Sequence, residues 1–141
     1  MDEEKLNRLP ADVKKQFVKL AEKLTEKKQK TKVHDDFLTF VKHVWPEFIE
    51  GAHHKKIAEK FNDIANKKIK RLIINMPPRH TKSEFASFLL PAWMVGRRPN
   101  LKIIQSTHTT ELAIRFGRKA KTLMDSQEYK EVFDTRLRED S

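Results

Sequence analysis

Cysteine is absent from this 141-residue chain. Disulfides and cysteine-based zinc sites are therefore excluded, and the composition fits a reducing cytoplasm. Long apolar runs are missing as well. The most apolar stretch, Phe85 to Val95, is interrupted by Pro91 and falls well short of the ~20 residues a bilayer-spanning helix needs. A soluble protein with no membrane partner is expected. The first residues, Met1-Asp2-Glu3-Glu4-Lys5, are acidic and polar, unlike a secretory leader. Acidic side chains are in deficit: 20 Asp and Glu against 30 Lys and Arg leave a net charge of +10. That excess favours a polyanionic partner, whether nucleic acid, nucleotide or an acidic lipid surface. Apolar residues are only 38% of the chain and charged residues 35%, which fits a helical protein with a thin core, or a piece of a larger one. The length suits one domain.

Residues 1–32 carry ten basic and six acidic side chains. Leu6, Leu9, Val13, Phe17, Leu20 and Leu24 recur at three- and four-residue steps, which places them on one helical face. The segment reads as a packing helix with a charged outer surface. A DNA-contacting arm or partner-docking helix is the alternative. Lys27 to Lys32 reads as a solvated helix end or linker, so residues 1–32 form a basic amphipathic segment ahead of a body at 33–141. A second helix is predicted over 34–45, with Phe37, Phe40, Val41 and Val44 as its stripe and Trp45-Pro46 as its stop. A third fits 53–67, with Ile57, Ala58, Phe61 and Ile64 on one side.

The pattern then changes. Arg71-Leu72-Ile73-Ile74-Asn75-Met76 is a short β-branched run that reads as a buried strand. Pro77 to Thr81 forms a loop, and a helix begins at Lys82, to be kinked or ended at Pro91. Gly96 to Asn100 is turn chemistry. Leu101 to Gln105 reads as a second strand, and Thr109 or Thr110 caps a last helix through about Met124. Strand, loop, helix, strand, helix predicts an α/β fold with parallel strands and flanking helices. Trp93, within an apolar run, is expected in the core.

The octet Met76 to Ser83 has the layout of a phosphate-binding loop between strand and helix. Lys82 and Ser83 stand where that loop's lysine and hydroxyl belong. Met76 and Thr81 stand where it carries glycines. The sequence Pro77-Pro78-Arg79-His80-Thr81-Lys82-Ser83-Glu84 resembles the core of the large terminase subunit of tailed phages. Pro91-Ala92-Trp93, Gly96-Arg97-Arg98-Pro99, Glu111-Leu112-Ala113 and Arg115-Phe116 add to the likeness, which runs over about 37–133.

The resemblance implies the N-terminal portion of a P-loop ATPase domain, part of a motor that drives viral DNA into a procapsid and cuts it. It implies ATP and Mg²⁺ as cofactors, with Pro78, Arg79, His80, Thr81, Lys82, Ser83, Glu84 and His54 around the nucleotide. Lys82 would meet the β/γ-phosphates, Arg79 the γ-phosphate, and Ser83 the Mg²⁺. It further implies double-stranded viral DNA, a portal protein and a small terminase subunit as partners, with homo-oligomerisation possible. The implied location is the cytoplasm of an infected bacterial host, transiently at the procapsid portal. No apolar strand ending in carboxylates follows the loop, since Glu139-Asp140 close a polar segment. The expectation is thus a truncated domain that binds nucleotide without turning it over. The alternative is a non-enzymatic basic helical module that binds DNA or a packaging partner.

Overall fold

A computed structural model describes residues 10–135. Leu6, Leu9, the acidic N-terminus and Glu139-Asp140 lie outside the described residues. Two compact units are present, one ending at Thr31 and the other beginning at Lys32.

Helix α1, Ala11–Asp35, runs through the lysine-rich stretch at 27–32, read from the sequence as a solvated helix end or linker. Pro10 opens it, its carbonyl accepting from the Lys14 amide at 3.1 Å. Asp12 in the first turn and Lys32 and His34 in the last complement the helix dipole. Within the first unit, Thr25 and Thr31 donate their hydroxyls to the carbonyls of Ala21 and Lys27, both at 2.9 Å. Such bonds back to the preceding turn tend to bend a helix rather than strengthen it.

The second unit is built from short helices on an aromatic core. Asp36 caps α2, Phe37–Val44, by accepting from the Thr39 amide at 2.8 Å. Asn62 of α3, Ala52–Ala65, clamps this junction: it donates to Asp36 at 2.7 Å and accepts from the Phe37 amide at 2.9 Å. Burial alone would raise the Asp36 carboxyl, but the hydrogen bonds from Thr39 and Asn62 outweigh it and hold the group below its ordinary value. Phe37 is fully buried. Its ring lies 5.1 Å from Phe61, 5.4 Å from Phe85 and 5.5 Å from Trp93, each edge-on. Trp93 is buried as expected, its indole donating to the His34 carbonyl at 3.1 Å.

Helix α4, Lys82–Glu84, leads through a π-helical turn, Phe85–Leu89, into α5, Leu90–Arg97. Pro91 explains the turn. It brings no amide, and its ring crowds the preceding turn. The helix widens there, with the Leu90 amide bonding back to the Phe85 carbonyl, and continues without a break. Gly96, expected in a turn, is inside α5. A Cβ there would stand 2.6 Å from the Phe133 ring and 2.7 Å from the Tyr129 hydroxyl, so close packing demands the glycine. Thr109 caps α6, Thr110–Asp125, and Ser126 caps α7, Gln127–Val132. Tyr129 of α7 donates to the Ala92 carbonyl at 2.8 Å, tying α7 to α5.

The α/β expectation is overturned. All regular structure among the described residues is helical, and neither Arg71–Met76 nor Leu101–Gln105 is a strand. A β-branched run favours an extended, half-buried chain, but a strand exists only when a second segment completes its ladder. No backbone hydrogen bond joins these two segments to each other. No described helix is long and apolar enough to cross a membrane.

Candidate nucleic-acid interface

Two basic features stand out, one in each unit. The first is on α1. Lys15, Lys19, Lys23 and Lys27 follow one another at four-residue steps, and Lys30 joins the same arc. At 1.5 Å per residue the row from Lys15 to Lys27 is about 18 Å long. All five side chains are exposed. Glu26 shares the arc, yet no ion pair within 4 Å neutralises any of these lysines among the described residues. Beside the row, Val13, Phe17, Leu20 and Leu24 are exposed, although their spacing predicts a packing face.

The second feature is a groove of about 570 Å³ between the loop at 77–84 and α6. Arg79, His80 and Lys82 line it from the loop, Arg115 and Phe116 from α6, and Trp45 from the end of α2. Arg79 and His80 are exposed, and Lys82 is half-buried. The Lys82 ammonium reaches back to the Met76 carbonyl at 3.4 Å. Glu84 is occupied by Lys119 at 3.1 Å, which leaves Arg79, Lys82 and Arg115 as the groove charges with no ion pair among the described residues. Ser83 is exposed, and the Pro78 carbonyl accepts from His80 Nδ1 at 2.9 Å.

His54 shapes the loop from below. It is 6% exposed. Its Nδ1 accepts from the Gly51 amide at 2.9 Å, so the proton is on Nε2, which donates to the Thr81 hydroxyl at 2.5 Å. Thr81 in turn donates to the His80 carbonyl at 2.7 Å. This chain of bonds holds Thr81 at φ 56° and ψ 8°, a left-handed conformation costly for a β-branched residue. Arg79, two residues earlier, also has positive φ, at 65°.

Burial, then the charge of His53, pushes His54 below the ordinary histidine value, while Glu50 pulls the other way and His80 adds to the lowering. With the folded value depressed, the unfolded chain holds more protons just below the ordinary value of 6.5. Stability is therefore unaffected above that value and falls as acid is added through it. The melting temperature should drop as the pH is lowered through about 6.5. In His54→Gln, which keeps a donor and an acceptor, that limb should flatten. An unchanged pH profile in the variant would assign the acid sensitivity elsewhere.

The arrangement corrects the nucleotide expectation. A P-loop takes its shape from a central strand that delivers the loop to a helix, and no sheet exists among the described residues. No group of acidic, histidine or cysteine side chains there could hold a metal ion. Parallel strands, P-loop, ATP, Mg²⁺ and the terminase ATPase domain fall together. No spacing in the sequence announces the meeting of Arg115 with the loop, across more than thirty residues. The lysine row is present there as a four-residue spacing, which by itself predicts only a charged outer face. No protein-family model matches the chain, no curated protein matches it, and no solved structure matches it.

Proposed function

We propose that the chain is a non-enzymatic, basic helical module that binds double-stranded DNA through its phosphate backbone. The row of unneutralised lysines on α1 carries this reading. A polyanion rewards such a row through release of its condensed counterions, whatever its sequence. The net charge of +10 supports it, and the groove of Arg79, Lys82 and Arg115 offers further phosphate contacts. Phosphate contacts carry no base information, so binding is sequence-tolerant.

The test is fluorescence anisotropy of a labelled duplex over a salt series. The logarithm of affinity should fall linearly with the logarithm of salt, with a slope of about −0.9 per phosphate neutralised. A slope of roughly −3 to −5 is expected from the lysine row. Two unrelated duplex sequences should give the same curve. Failure to bind at low salt, or a slope near zero, would overturn the reading.

A further inference from the structure

The segment Arg71–Met76, between α3 and the loop at 77–84, has one face used and its backbone unused. Exposure along it alternates strictly: Leu72, Ile74 and Met76 are half-buried, Arg71, Ile73 and Asn75 exposed. The inner three pack against the aromatic core, whereas Ile73 is 87% exposed. From Lys70 to Asn75 no backbone amide or carbonyl makes a hydrogen bond with any described residue. Among the described residues, Met76 offers its carbonyl only to the Lys82 ammonium. The interior turns of the neighbouring helices spend their backbone groups internally. Period-two burial with vacant backbone edges is the state of a β-strand that awaits a neighbour. The helical core behind it supplies the packing that a lone strand pair lacks in water.

Charge selects the neighbour. Lys67, Lys68, Lys70 and Arg71 precede the apolar stretch, and Arg79 and Lys82 follow it. Of the first four, only Lys68 has an ion pair among the described residues, with Asp63 at 3.6 Å. A second copy of the chain would bring the same cations against these ones in either strand direction, which disfavours self-pairing. By contrast, Leu101–Gln105 lacks the alternation: Lys102 to Gln105 are all exposed.

We infer that Arg71–Met76 docks an extended segment of another protein as an added β-strand, one with alternating apolar residues and acidic flanks. Main-chain bonds supply the affinity in such a mode, while the alternating side chains and charged ends supply the selection. This partner is distinct from DNA; the site does not depend on the lysine row, and it shares only Arg79 and Lys82 with the groove.

The probe is a short synthetic peptide of alternating valine and threonine with glutamates at both ends, labelled and titrated with the full chain. A matched peptide carries N-methyl groups on its strand-facing amides, and a third keeps the glutamates but replaces valine by serine. Saturable binding of the first is expected, with about tenfold or greater weakening in the other two. Amide exchange of residues 71–76 should slow by a similar factor when the first peptide is bound. Equal binding of all three would reduce the effect to charge alone and overturn the inference. So would exchange that slows only outside 71–76. Protection of this segment that grows with protein concentration in the absence of peptide would assign the edge to a second copy, against the inference.

Discussion

Phe37→Ala is expected to lower the free energy of unfolding by about 3–5 kcal/mol, the cost of removing a buried aromatic ring whose cavity does not close. The position decides the size. Phe37 is fully buried and its ring meets those of Phe40, Phe61, Phe85 and Trp93. Those rings come from α2, α3, the π turn and α5, so four elements lose contact with one another at once. Edge-on ring pairs add roughly 0.5–1.5 kcal/mol beyond area burial, and three of the four contacts are of that kind. A small domain holds only about 5–15 kcal/mol in all. Phe37→Ala should therefore unfold at far lower urea, while Phe37→Leu, which keeps much of the volume, should lose about 1.5 kcal/mol or less. Urea titration followed by circular dichroism measures both. A loss below about 1 kcal/mol in the alanine variant would mean that the core repacks and that Phe37 is not its hub.

The stripe that contains Phe37 is legible in the spacing of its residues. Phe37, Phe40 and Val41 repeat at helical intervals, as do Ile57, Ala58 and Phe61, and the structure buries all six. Thr109 declares itself as a cap because a hydroxyl ahead of a periodic run satisfies a free amide; it accepts from the Leu112 amide at 3.3 Å. Such signals are local, and a helix is local. The strand reading fails for the opposite reason. Leu72, Ile73 and Ile74 do take up period-two burial, so the preference they encode is real. A ladder, however, needs a second chain segment, and no property of residues 71–76 announces whether one will arrive. The resemblance at Pro77 to Glu84 shares this weakness. An octet can match residue by residue while the sheet that would give it meaning is elsewhere or absent.

The groove sits between these cases. Arg79 and Lys82 are marked by the sequence, whereas Arg115 joins them only because Phe116 is buried and turns α6 toward the loop. The π turn is half legible, since Pro91 signals a disturbed helix. Its outcome is not, because whether a proline ends a helix or is absorbed depends on what packs around it. Here Phe85 and Leu89, both buried, anchor the widened turn on each side, and α5 continues from it. The apolar stripe of α1 shows the converse. Val13, Phe17, Leu20 and Leu24 have the spacing of a core face but remain exposed, since periodicity marks which residues share a face and not what covers it.

Neutralising the lysine row should weaken duplex binding by about 10²–10³-fold near 0.1 M salt, with Lys19→Gln, Lys23→Gln and Lys27→Gln combined. The size follows from counterion release. Each phosphate contact adds about 0.9 to the salt slope, so three lost contacts should flatten it by about 2.7 and leave affinity near 1 M salt almost unchanged. Glutamine holds helix propensity close to that of lysine, and the three side chains are exposed and without ion pairs among the described residues. The melt should therefore stay within about 0.5 kcal/mol of the parent, which separates a binding effect from an unfolding one. Arg79→Gln with Arg115→Gln provides the comparison. If the groove also holds phosphates, this pair should flatten the slope by up to about 1.8, with no effect from the α1 residues required. A triple variant that keeps the parent slope would remove α1 from the interface. Binding would then rest on the groove, and the exposed face of α1 would be left to a role other than holding DNA.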